Sequence, residues 1–381
     1  MRKNRFLAAV MTAFAFPSAA LCQDTNFEAD ARKAFASAIE QYKIPGLVVG
    51  VTRKGKHQFY ATGLASRTDN RAVTPDTLFE LGSISKIFNA TLAALAEQRG
   101  QLSLKDQAAR YLCENECTLG NDLTLMDLAT HHSGGLPLQI PDTVANTQQL
   151  VDWLKGWKPS HPGYRSYSNV SIGLLGHITS HAMNVSYREA IEKDLFPKLG
   201  LRNTWIDVPT DKSNEYAFGY DRKTDQPIRV TPGVLDAEAY GVKSSARDML
   251  QLLDVELGVA KVSPEIEAAV SRTQEGQFLT KMFVQDMIWE QYPWPTTAEA
   301  MKAANTYDFI LHPQPMEKID PVLPPQKNVV LNKTGSTNGF GGYVAVLPGE
   351  GMGIVVLANR NYPKDARISA TFDLIKALLS E

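Results

Sequence analysis

The sequence predicts an α+β fold, in which an antiparallel β-sheet flanked by terminal helices adjoins a mostly helical region. Two apolar, β-branched runs at 46–53 and 57–62 are separated by Lys54-Gly55-Lys56, which is a hairpin signal. Three further runs of this kind, linked by glycine-rich turns, lie near the C-terminus at 328–333, 342–347 and 352–359. Parallel strands need long crossover connections. Because these connections are short, the sheet is predicted to be antiparallel.

Helical patterns accompany these strands at both ends of the chain. Residues 26–43 have the pattern of an amphipathic helix, and residues 366–380 that of a closing helix. We therefore expect both chain ends to supply one sheet domain, made of 23–80 together with 327–381.

The middle of the chain, 81–326, is predicted to be mostly helical. It contains two long stretches interrupted by Pro and Gly, at 207–242 and 292–326. Loops of that length in a compact protein often shape a functional site. The active site is therefore expected between the sheet and the helical region.

Composition excludes several classes of protein. The chain has 381 residues, of which 44% are hydrophobic and 21% charged, as in ordinary globular proteins. Its 39 basic and 41 acidic residues give a net charge of −2, which offers no basic surface for nucleic acid or an anionic membrane. No internal repeat is present. The size and composition are those of an ordinary globular enzyme.

The first 22 residues are predicted to be a secretory signal peptide. Three basic residues precede an apolar run at 6–16, which is too short to span a bilayer. Small residues follow, and we place the cleavage between Cys22 and Gln23. A lipoprotein cut before Cys22 is disfavoured because Leu21 is bulky. Removing the three basic residues leaves 36 of the 39 against 41 acids, a mature charge of −5, and we expect a periplasmic protein without stable membrane association.

Two cysteines remain after cleavage, Cys113 and Cys117, separated by Glu-Asn-Glu. Acids between them disfavour a catalytic thiolate, and no second pair exists for a zinc site. In an oxidising compartment a local disulfide is expected.

The first chemical motif is Ser83-Ile84-Ser85-Lys86, predicted to open a helix that stops at Gly100. Residues three apart share a helix face, so Ser83 and Lys86 adjoin. A serine beside an amine that can accept its proton is a nucleophile pair. Taken alone, Ser-x-x-Lys arises often by chance, and an isolated match is far more often a capping serine with a surface lysine.

Two further motifs follow. Tyr167-Ser168-Asn169 is predicted to lie in a loop before a helix, with Asn169 as a plausible cap of that helix. Lys333-Thr334-Gly335 is predicted to end a strand, where a cation, a hydroxyl and a close backbone approach could hold a carboxylate. In isolation, both also fit ordinary packing and turn roles.

Together, the order of the motifs resembles that of the penicillin-recognising serine hydrolases: Ser-x-x-Lys, then Tyr-x-Asn about 80 residues on, then Lys-Thr-Gly about 165 further. The Tyr-Ser-Asn form looks like that of class C β-lactamases. The resemblance to class C β-lactamases also includes the segments 81–86, 134–139, 235–243 and 332–341. It covers nearly the whole mature chain, from 44–46 to 361–363. The resemblance implies the β-lactamase/DD-peptidase-like fold and hydrolysis of β-lactams, cephalosporins above all.

The resemblance also implies catalytic roles. Ser83 would be acylated by the lactam carbonyl, and Lys86 and Tyr167 would form the proton-transfer network. Lys333 would steady Tyr167 and, with Thr334, the substrate carboxylate. Which of Tyr167 and Lys86 gives up its proton stays open, because the titration of neighbouring groups is coupled.

The implied binding residues complete the site. Backbone amides of Ser83 and Ser336 would form the oxyanion hole beside Gly335. Gln139 and Asn169 would bind the acylamino side chain, and Asn361 would lie near the ring carboxylate.

Two positions near the C-terminus are relevant to how the substrate carboxylate would be recognised. Arg367 matches an arginine of the family. Lys364 stands where the family often has Asn, which leaves the details of carboxylate recognition open.

Other candidate sites are weaker. His177 and His181 lie four apart on a predicted helix, but no third metal ligand is evident, so neither a metal nor another cofactor is expected. His131-His132 stands where the family usually has Tyr-Thr and is interpreted as a packing substitution.

Three functions stay open: a β-lactamase, a DD-peptidase that releases penicillin slowly, and an inactive cell-wall-binding protein. The fold alone does not separate the first two. The expected partner is a small β-lactam, and a monomer is expected.

Overall fold

The structure is a computed structural model that describes residues 20–112, 119 and 123–380. Cys113 and Cys117 lie outside the described residues, and so does most of the predicted signal peptide. Their disulfide and the cleavage site therefore stay predictions. In the described part of the chain, no helix is both long and apolar enough to cross a membrane.

A ten-stranded sheet forms the centre of the molecule, with strand order β14-β10-β11-β12-β15-β16-β17-β1-β2-β3. Every strand pair in it is antiparallel, as the short connections predicted. Three small sheets are separate: β4-β9-β6, β5-β13 and β7-β8. The strands, in chain order, are β1 (Gly46–Arg53), β2 (Lys56–Ser66), β3 (Arg71–Ala72), β4 (Phe79–Glu80), β5 (Tyr164–Arg165), β6 (Thr204–Trp205), β7 (Gly219–Tyr220), β8 (Pro227–Ile228), β9 (Lys243–Ser244), β10 (Gly276–Leu279), β11 (Val284–Gln285), β12 (Glu290–Pro293), β13 (Gln314–Pro315), β14 (Glu317–Leu323), β15 (Val329–Ser336), β16 (Gly341–Leu347) and β17 (Met352–Ala358).

All five strands predicted from the sequence are present and adjacent, as β15-β16-β17-β1-β2. One prediction about β15 is wrong, because Lys333-Thr334-Gly335 lies inside this strand instead of ending it. The strand continues to Ser336, which pairs with Gly341, while Lys333 pairs with Val344. The cation of Lys333 is therefore held on a paired, rigid strand.

Four further strands come from the region predicted to be mostly helical. β10, β11, β12 and β14 extend the sheet beyond β15. The outermost of them, β14, has a mainly exposed sequence with charged residues, which is typical of an edge strand and lacks the apolar alternation of a buried one. The stretch 292–326 is thus not a long loop, since it contains strands and two short helices.

Thirteen α-helices are described, and the terminal two differ slightly from their predicted bounds. In chain order they are α1 (Ala20–Gln41), α2 (Lys86–Gln98), α3 (Ala109–Leu112), α4 (Leu125–Ala129), α5 (Thr147–Lys155), α6 (Asn169–Ala182), α7 (Phe196–Lys198), α8 (Asp236–Ala239), α9 (Ala246–Glu256), α10 (Pro264–Thr273), α11 (Ala298–Ala304), α12 (Tyr307–Leu311) and α13 (Lys364–Leu379).

Helices cover both faces of the sheet, and β1 shows how one strand serves both. Its alternate residues Leu47 and Val49 belong to the core beneath α1 and α13, whereas Val48 belongs to the larger core that includes α2, α6 and α9. Leu250 of α9 lies against Gly50, where an added Cβ would come within 3.2 Å of its side chain. The larger core therefore fixes α2 against the sheet, and α2 begins at the serine motif.

Candidate active site

Ser83 lies on a single 3₁₀ turn, Gly82–Ser85, that leads directly into α2. The sequence predicted an α-helical start, so the observed turn is a small correction. The turn is pressed against β15: a Cβ added to Gly82 would lie 2.5 Å from the backbone nitrogen of Ser336, and one added to Gly335 only 2.0 Å from the carbonyl oxygen of Leu81. Glycine at both positions lets the two backbones meet, because any side chain there would collide.

Lys86 lies beneath the serine and is fully buried. Its Nζ donates hydrogen bonds to Ser83 Oγ at 3.0 Å, to Asn169 Oδ1 at 2.6 Å and to the carbonyl oxygen of Ala239 at 2.7 Å. The pKa of Lys86 is lowered to about 8, mainly by burial and also by the positive charge of Lys333, while Tyr167 opposes the shift. The predicted serine–lysine pair is therefore formed, and the amine is within reach of neutrality.

Tyr167 stands in the loop before α6. The cap of that helix is Ser168, whose side chain accepts a hydrogen bond from the backbone N–H of Ser171, so the cap predicted at Asn169 is one residue too late. Because Ser168 caps the helix, the side chain of Asn169 in the first turn of α6 is available to the site.

The hydroxyl of Tyr167 lies among cations. Lys333 Nζ donates a hydrogen bond to Tyr167 Oη at 3.4 Å, and the Nζ atoms of Lys333 and Lys86 lie 5.2 and 5.6 Å from the ring centroid. Burial alone would raise the pKa of Tyr167. The charges of Lys333 and Lys86, with a hydrogen bond to Ser83, outweigh burial and lower that pKa to about 7. The order of the two pKa values favours Tyr167 as the group that gives up its proton first.

Two residues beside Tyr167 were missed by sequence reasoning. The guanidinium of Arg165 lies 5.4 Å from the Tyr167 ring centroid and forms a buried ion pair with Glu290, its Nη2 at 3.4 Å from Oε1. Glu290 is on β12, directly opposite Asn332 of β15. Neither residue lies in a recognisable motif; only the pairing of β12 with β15 brings this carboxylate beside the lysine strand.

His131 packs against the ring of Tyr167, with 4.5 Å between the ring centroids. Its Nδ1 accepts a hydrogen bond from the backbone N–H of Ser168 at 3.3 Å. Burial holds its pKa well below the usual value, so the ring is neutral. The packing role predicted for His131 is thus observed, and the residue that it packs against is Tyr167. His132 Nδ1 lies at hydrogen-bond distance from Oδ1 of Asp127, 2.7 Å away.

One cleft collects the predicted residues. Nine of the ten line it, and the tenth, Lys86, contacts Ser83 from below. Within it, Asn169 Nδ2 donates a hydrogen bond to Gln139 Oε1 at 3.1 Å, so the two predicted amide-binding side chains are in contact. The lining residues from the prediction are Ser83, Gln139, Tyr167, Asn169, Lys333, Thr334, Gly335, Ser336 and Asn361.

Arg367 supports the far wall of the cleft from within the core. It is fully buried, and its guanidinium donates to the carbonyl oxygen of Gly335 at 2.7 Å, to Ser336 Oγ at 3.0 Å and to Asn361 Oδ1 at 2.8 Å. Burial lowers its pKa to about 10, which still leaves it charged at neutral pH. Arg367 therefore ties the lysine strand to the segment that carries Asn361.

Lys364 also lines the cleft and is half-buried. Its Nζ lies 5.0 Å from the ring centroid of Tyr307 on α12, a cation–π distance. Burial lowers its pKa to about 8, and the charge of Lys333 contributes to the shift. The cleft thus contains a second lysine at its rim where the resemblance led to an expectation of Asn.

Within residues 20–112, 119 and 123–380, no group of three or more His, Cys, Asp or Glu side chains is arranged to hold a metal ion. His177 and His181 both lie on α6, and burial lowers the pKa of His177.

A serine hydrogen-bonded to a buried lysine, with a low-pKa tyrosine and a strand lysine beside them, set between an antiparallel sheet and helices, is the arrangement of a penicillin-recognising serine hydrolase. A family model described as Beta-lactamase matches residues 31–378. The chain belongs to the β-lactamase family.

Individual relatives agree with this assignment. A β-lactamase of Psychrobacter immobilis is 38% identical over 378 residues, covering 98% of this chain and 94% of the relative. The crystal structure of a class C β-lactamase from Rhodobacter sphaeroides has 63% sequence identity and a TM-score of 0.90, covering 92% of this chain and 99% of that one. A β-lactamase/D-alanine carboxypeptidase from Pseudomonas syringae has 42% identity and a TM-score of 0.88, covering 93% and 99%.

Proposed function

We propose that this protein hydrolyses β-lactam antibiotics, cephalosporins by preference, through an acyl-enzyme on Ser83, and so confers β-lactam resistance. The observation that carries the proposal is the contact set around the nucleophile. Lys86 Nζ lies 3.0 Å from Ser83 Oγ, and the pKa of Tyr167 beside them is lowered to about 7. A serine with an ionisable base at hand at neutral pH is an activated nucleophile.

Acylation follows from these contacts. The Tyr167 phenolate takes the proton of the Ser83 hydroxyl, while Lys86 stays hydrogen-bonded to the same oxygen. Oγ forms a bond to the lactam carbonyl carbon, and the negative charge that develops on the carbonyl oxygen faces the backbone amides of Ser83 and Ser336. The lactam C–N bond then breaks, and the proton held by Tyr167 passes to the departing nitrogen. The products are an ester on Ser83 and an opened ring.

Deacylation reverses the proton path. A water molecule gives a proton to the Tyr167 phenolate as its oxygen attacks the ester carbonyl carbon. The bond to Ser83 Oγ breaks, the proton returns to the serine oxygen, and the carboxylic acid product leaves. Lys333, whose Nζ contacts Tyr167 at 3.4 Å, stabilises the phenolate in both halves of the cycle.

Substrate recognition is assigned to the rest of the cleft. The paired amides of Gln139 and Asn169 suit the acylamino side chain of a β-lactam, since each offers both a donor and an acceptor. Lys333 and Thr334 suit its carboxylate, with Asn361 nearby.

Turnover of nitrocefin by the purified mature protein tests the activity, and Ser83→Ala tests the nucleophile. We expect rapid hydrolysis by the wild type and none by the variant. Mass spectrometry with a slow β-lactam should give an adduct on the Ser83 peptide of the wild type alone. An adduct on another residue, or hydrolysis by the variant, would refute the assignment.

A D-alanyl peptidase activity is the second candidate, favoured by the Pseudomonas syringae relative that carries both names. Both enzymes form the same ester, so only the lifetime of the acyl-enzyme separates them. Stopped-flow measurement should show an acyl-enzyme that turns over many times with a cephalosporin. Persistence for hours with every β-lactam, together with release of D-alanine from a D-Ala-D-Ala peptide, would favour the peptidase.

We also propose that the protein is exported to the periplasm and works there as a monomer without membrane attachment, with 23–80 and 327–381 as its sheet domain and 81–326 as the helical region. The signal-like pattern at 1–22 supports export. N-terminal sequencing of the exported protein should begin at Gln23, and light scattering should give the mass of one chain. Another start site or a dimer mass would contradict these proposals.

A further inference from the structure

A second cavity, separate from Ser83, is lined by basic side chains. Its volume is about 340 Å³, far above the ~10–15 Å³ that one water molecule requires on the same measure. The lining residues are Gln41, Tyr42, Lys43, Arg222, Arg360, Asn361 and Tyr362. Three of these carry a positive charge and none carries a negative one.

The three cations come from distant parts of the chain. Lys43 follows α1, Arg222 lies in the turn between β7 and β8, and Arg360 follows β17. The backbone N–H of Tyr220 donates to the carbonyl oxygen of Asn359 at 3.0 Å, which attaches the β7–β8 hairpin to the end of β17. The tertiary fold therefore brings the three positive charges close together. Like charges repel each other, and a bound anion would offset that repulsion.

Only one of the three positive charges, that of Arg360, has an acidic partner among the described residues. Asp225 pairs with Arg360, and it also pairs with Arg67 at 2.8 Å. The hydrogen bond from Arg360 is the main cause that lowers the pKa of Asp225, so this carboxylate is ionised and already shared. Arg222 and Lys43 are exposed, and neither has an acidic partner within 4.0 Å among the residues that the structure describes.

Two lining residues also carry buried polar atoms without a hydrogen-bond partner. Arg360 is 6% exposed and its Nε is unpaired; Tyr362 is 1% exposed and its hydroxyl is unpaired. Both atoms lack solvent-accessible surface and so do not face the open cavity, where an anion would contact the exposed charged groups of Lys43 and Arg222. These charged groups are of the type that binds phosphate, since guanidinium groups match its oxygens in pairs.

We propose that this basic cavity (Lys43, Arg222, Arg360 and Tyr362) is a binding site for a small, multiply charged oxyanion such as inorganic phosphate. The site does not depend on the chemistry at Ser83. Asn361 lines both this cavity and the catalytic cleft, so the anion binds behind the wall of the cleft. The proposal goes beyond β-lactam hydrolysis and holds whichever substrate the cleft takes.

Calorimetric titration of the mature protein with inorganic phosphate at low ionic strength tests the site. Arg222→Gln and Lys43→Gln should each weaken binding by about fivefold, the effect of one partly exposed charge pair. Lys54→Gln and Arg202→Gln are matched controls, since Lys54 is an exposed lysine with φ 51° against 50° for Lys43, and Arg202 is an exposed arginine outside the cavity. Both controls should bind phosphate as the wild type does.

The catalytic cleft has its own cations, so Lys333→Ala is included. We expect this variant and Ser83→Ala to retain phosphate binding, although both should lose hydrolytic activity. The proposal is overturned if the wild type binds no phosphate. It is also overturned if Lys333→Ala abolishes binding while the Lys43 and Arg222 variants keep it, because the anion would then lie in the cleft.

Discussion

Replacing Lys333 by methionine removes one of the two ammonium groups beside the Tyr167 hydroxyl and keeps the length of the side chain. In the structure, Lys333 Nζ lies 3.4 Å from Tyr167 Oη. Two unit charges at that distance interact by about 5 kcal/mol at an effective dielectric constant of about 20. This energy corresponds to roughly 3.5 pKa units, since one unit is about 1.4 kcal/mol.

The direction of the shift follows from the charge. Lys333 favours the phenolate, so its removal leaves burial opposed only by Lys86 and by the hydrogen bond to Ser83. The pKa of Tyr167, about 7 in the intact protein, should therefore rise by about 3 units. Because the base acts only when deprotonated, the acid limb of the pH–rate profile should move upward with it.

The assay is ultraviolet difference titration, which detects tyrosinate directly and needs no turnover. The wild type should gain tyrosinate absorbance around neutral pH, and Lys333→Met only at much higher pH. Tyr167→Phe is the control, since it should lose the neutral-pH signal while the fold persists. It should also reduce turnover by about 10²–10⁴-fold, as expected for a lost proton-transfer group.

Two outcomes would refute this reasoning. A tyrosinate midpoint that moves by less than about half a pKa unit in Lys333→Met would mean that the ammonium does not control Tyr167. A neutral-pH signal that survives in Tyr167→Phe would mean that another tyrosine is responsible.

Three more changes test other parts of the structure. Gly335→Ala should destabilise the protein by at least about 1–3 kcal/mol in urea unfolding, because its Cβ would lie 2.0 Å from the Leu81 carbonyl oxygen; unchanged stability would contradict the close approach. Lys364→Asn should raise KM for an anionic β-lactam by about three- to tenfold with a smaller effect on kcat, and an unchanged KM would show that this rim cation does not contact substrate. Burial raises the pKa of Glu256 to about 8, although Gln274 donates a hydrogen bond to it, so the contribution of Glu256 to folding stability falls as the pH rises from about 4 to 8. Over that range Glu256→Gln should therefore become more stable relative to the wild type, by up to about 5 kcal/mol. A stability difference in urea unfolding that does not depend on pH would count against the raised pKa.

The strands next to the termini and the local chemical motifs were predictable from the sequence, because both depend on short-range patterns. Apolar, β-branched runs with short turns predict β1, β2, β15, β16 and β17, all of which are present. The Ser83–Lys86 contact follows from a three-residue spacing that holds in a helical turn. The resemblance then brought Tyr167 and Lys333 to the same site, and the structure places them 3.4 Å apart.

Short strands with little apolar alternation were not predictable. β10, β11, β12 and β14 have between two and seven residues, and their membership of the sheet depends on pairing with partners elsewhere in the chain. The same pairing brings Glu290 opposite Asn332, and so beside the strand that carries Lys333. The hydrophobic periodicity of one segment does not indicate which distant strand it will pair with.

By itself, the sequence determined which groups are available for chemistry and which neighbouring residues share a face. Only the tertiary structure decided how those groups are charged. Burial lowers the pKa of Lys86, while the cation of Lys333, 166 residues along the chain from Tyr167, is the largest influence that lowers the pKa of the tyrosine. Coulomb energies vary inversely with distance, and desolvation depends on what surrounds a group in space. The basic cavity has the same origin, since Lys43, Arg222 and Arg360 meet only after the chain has folded.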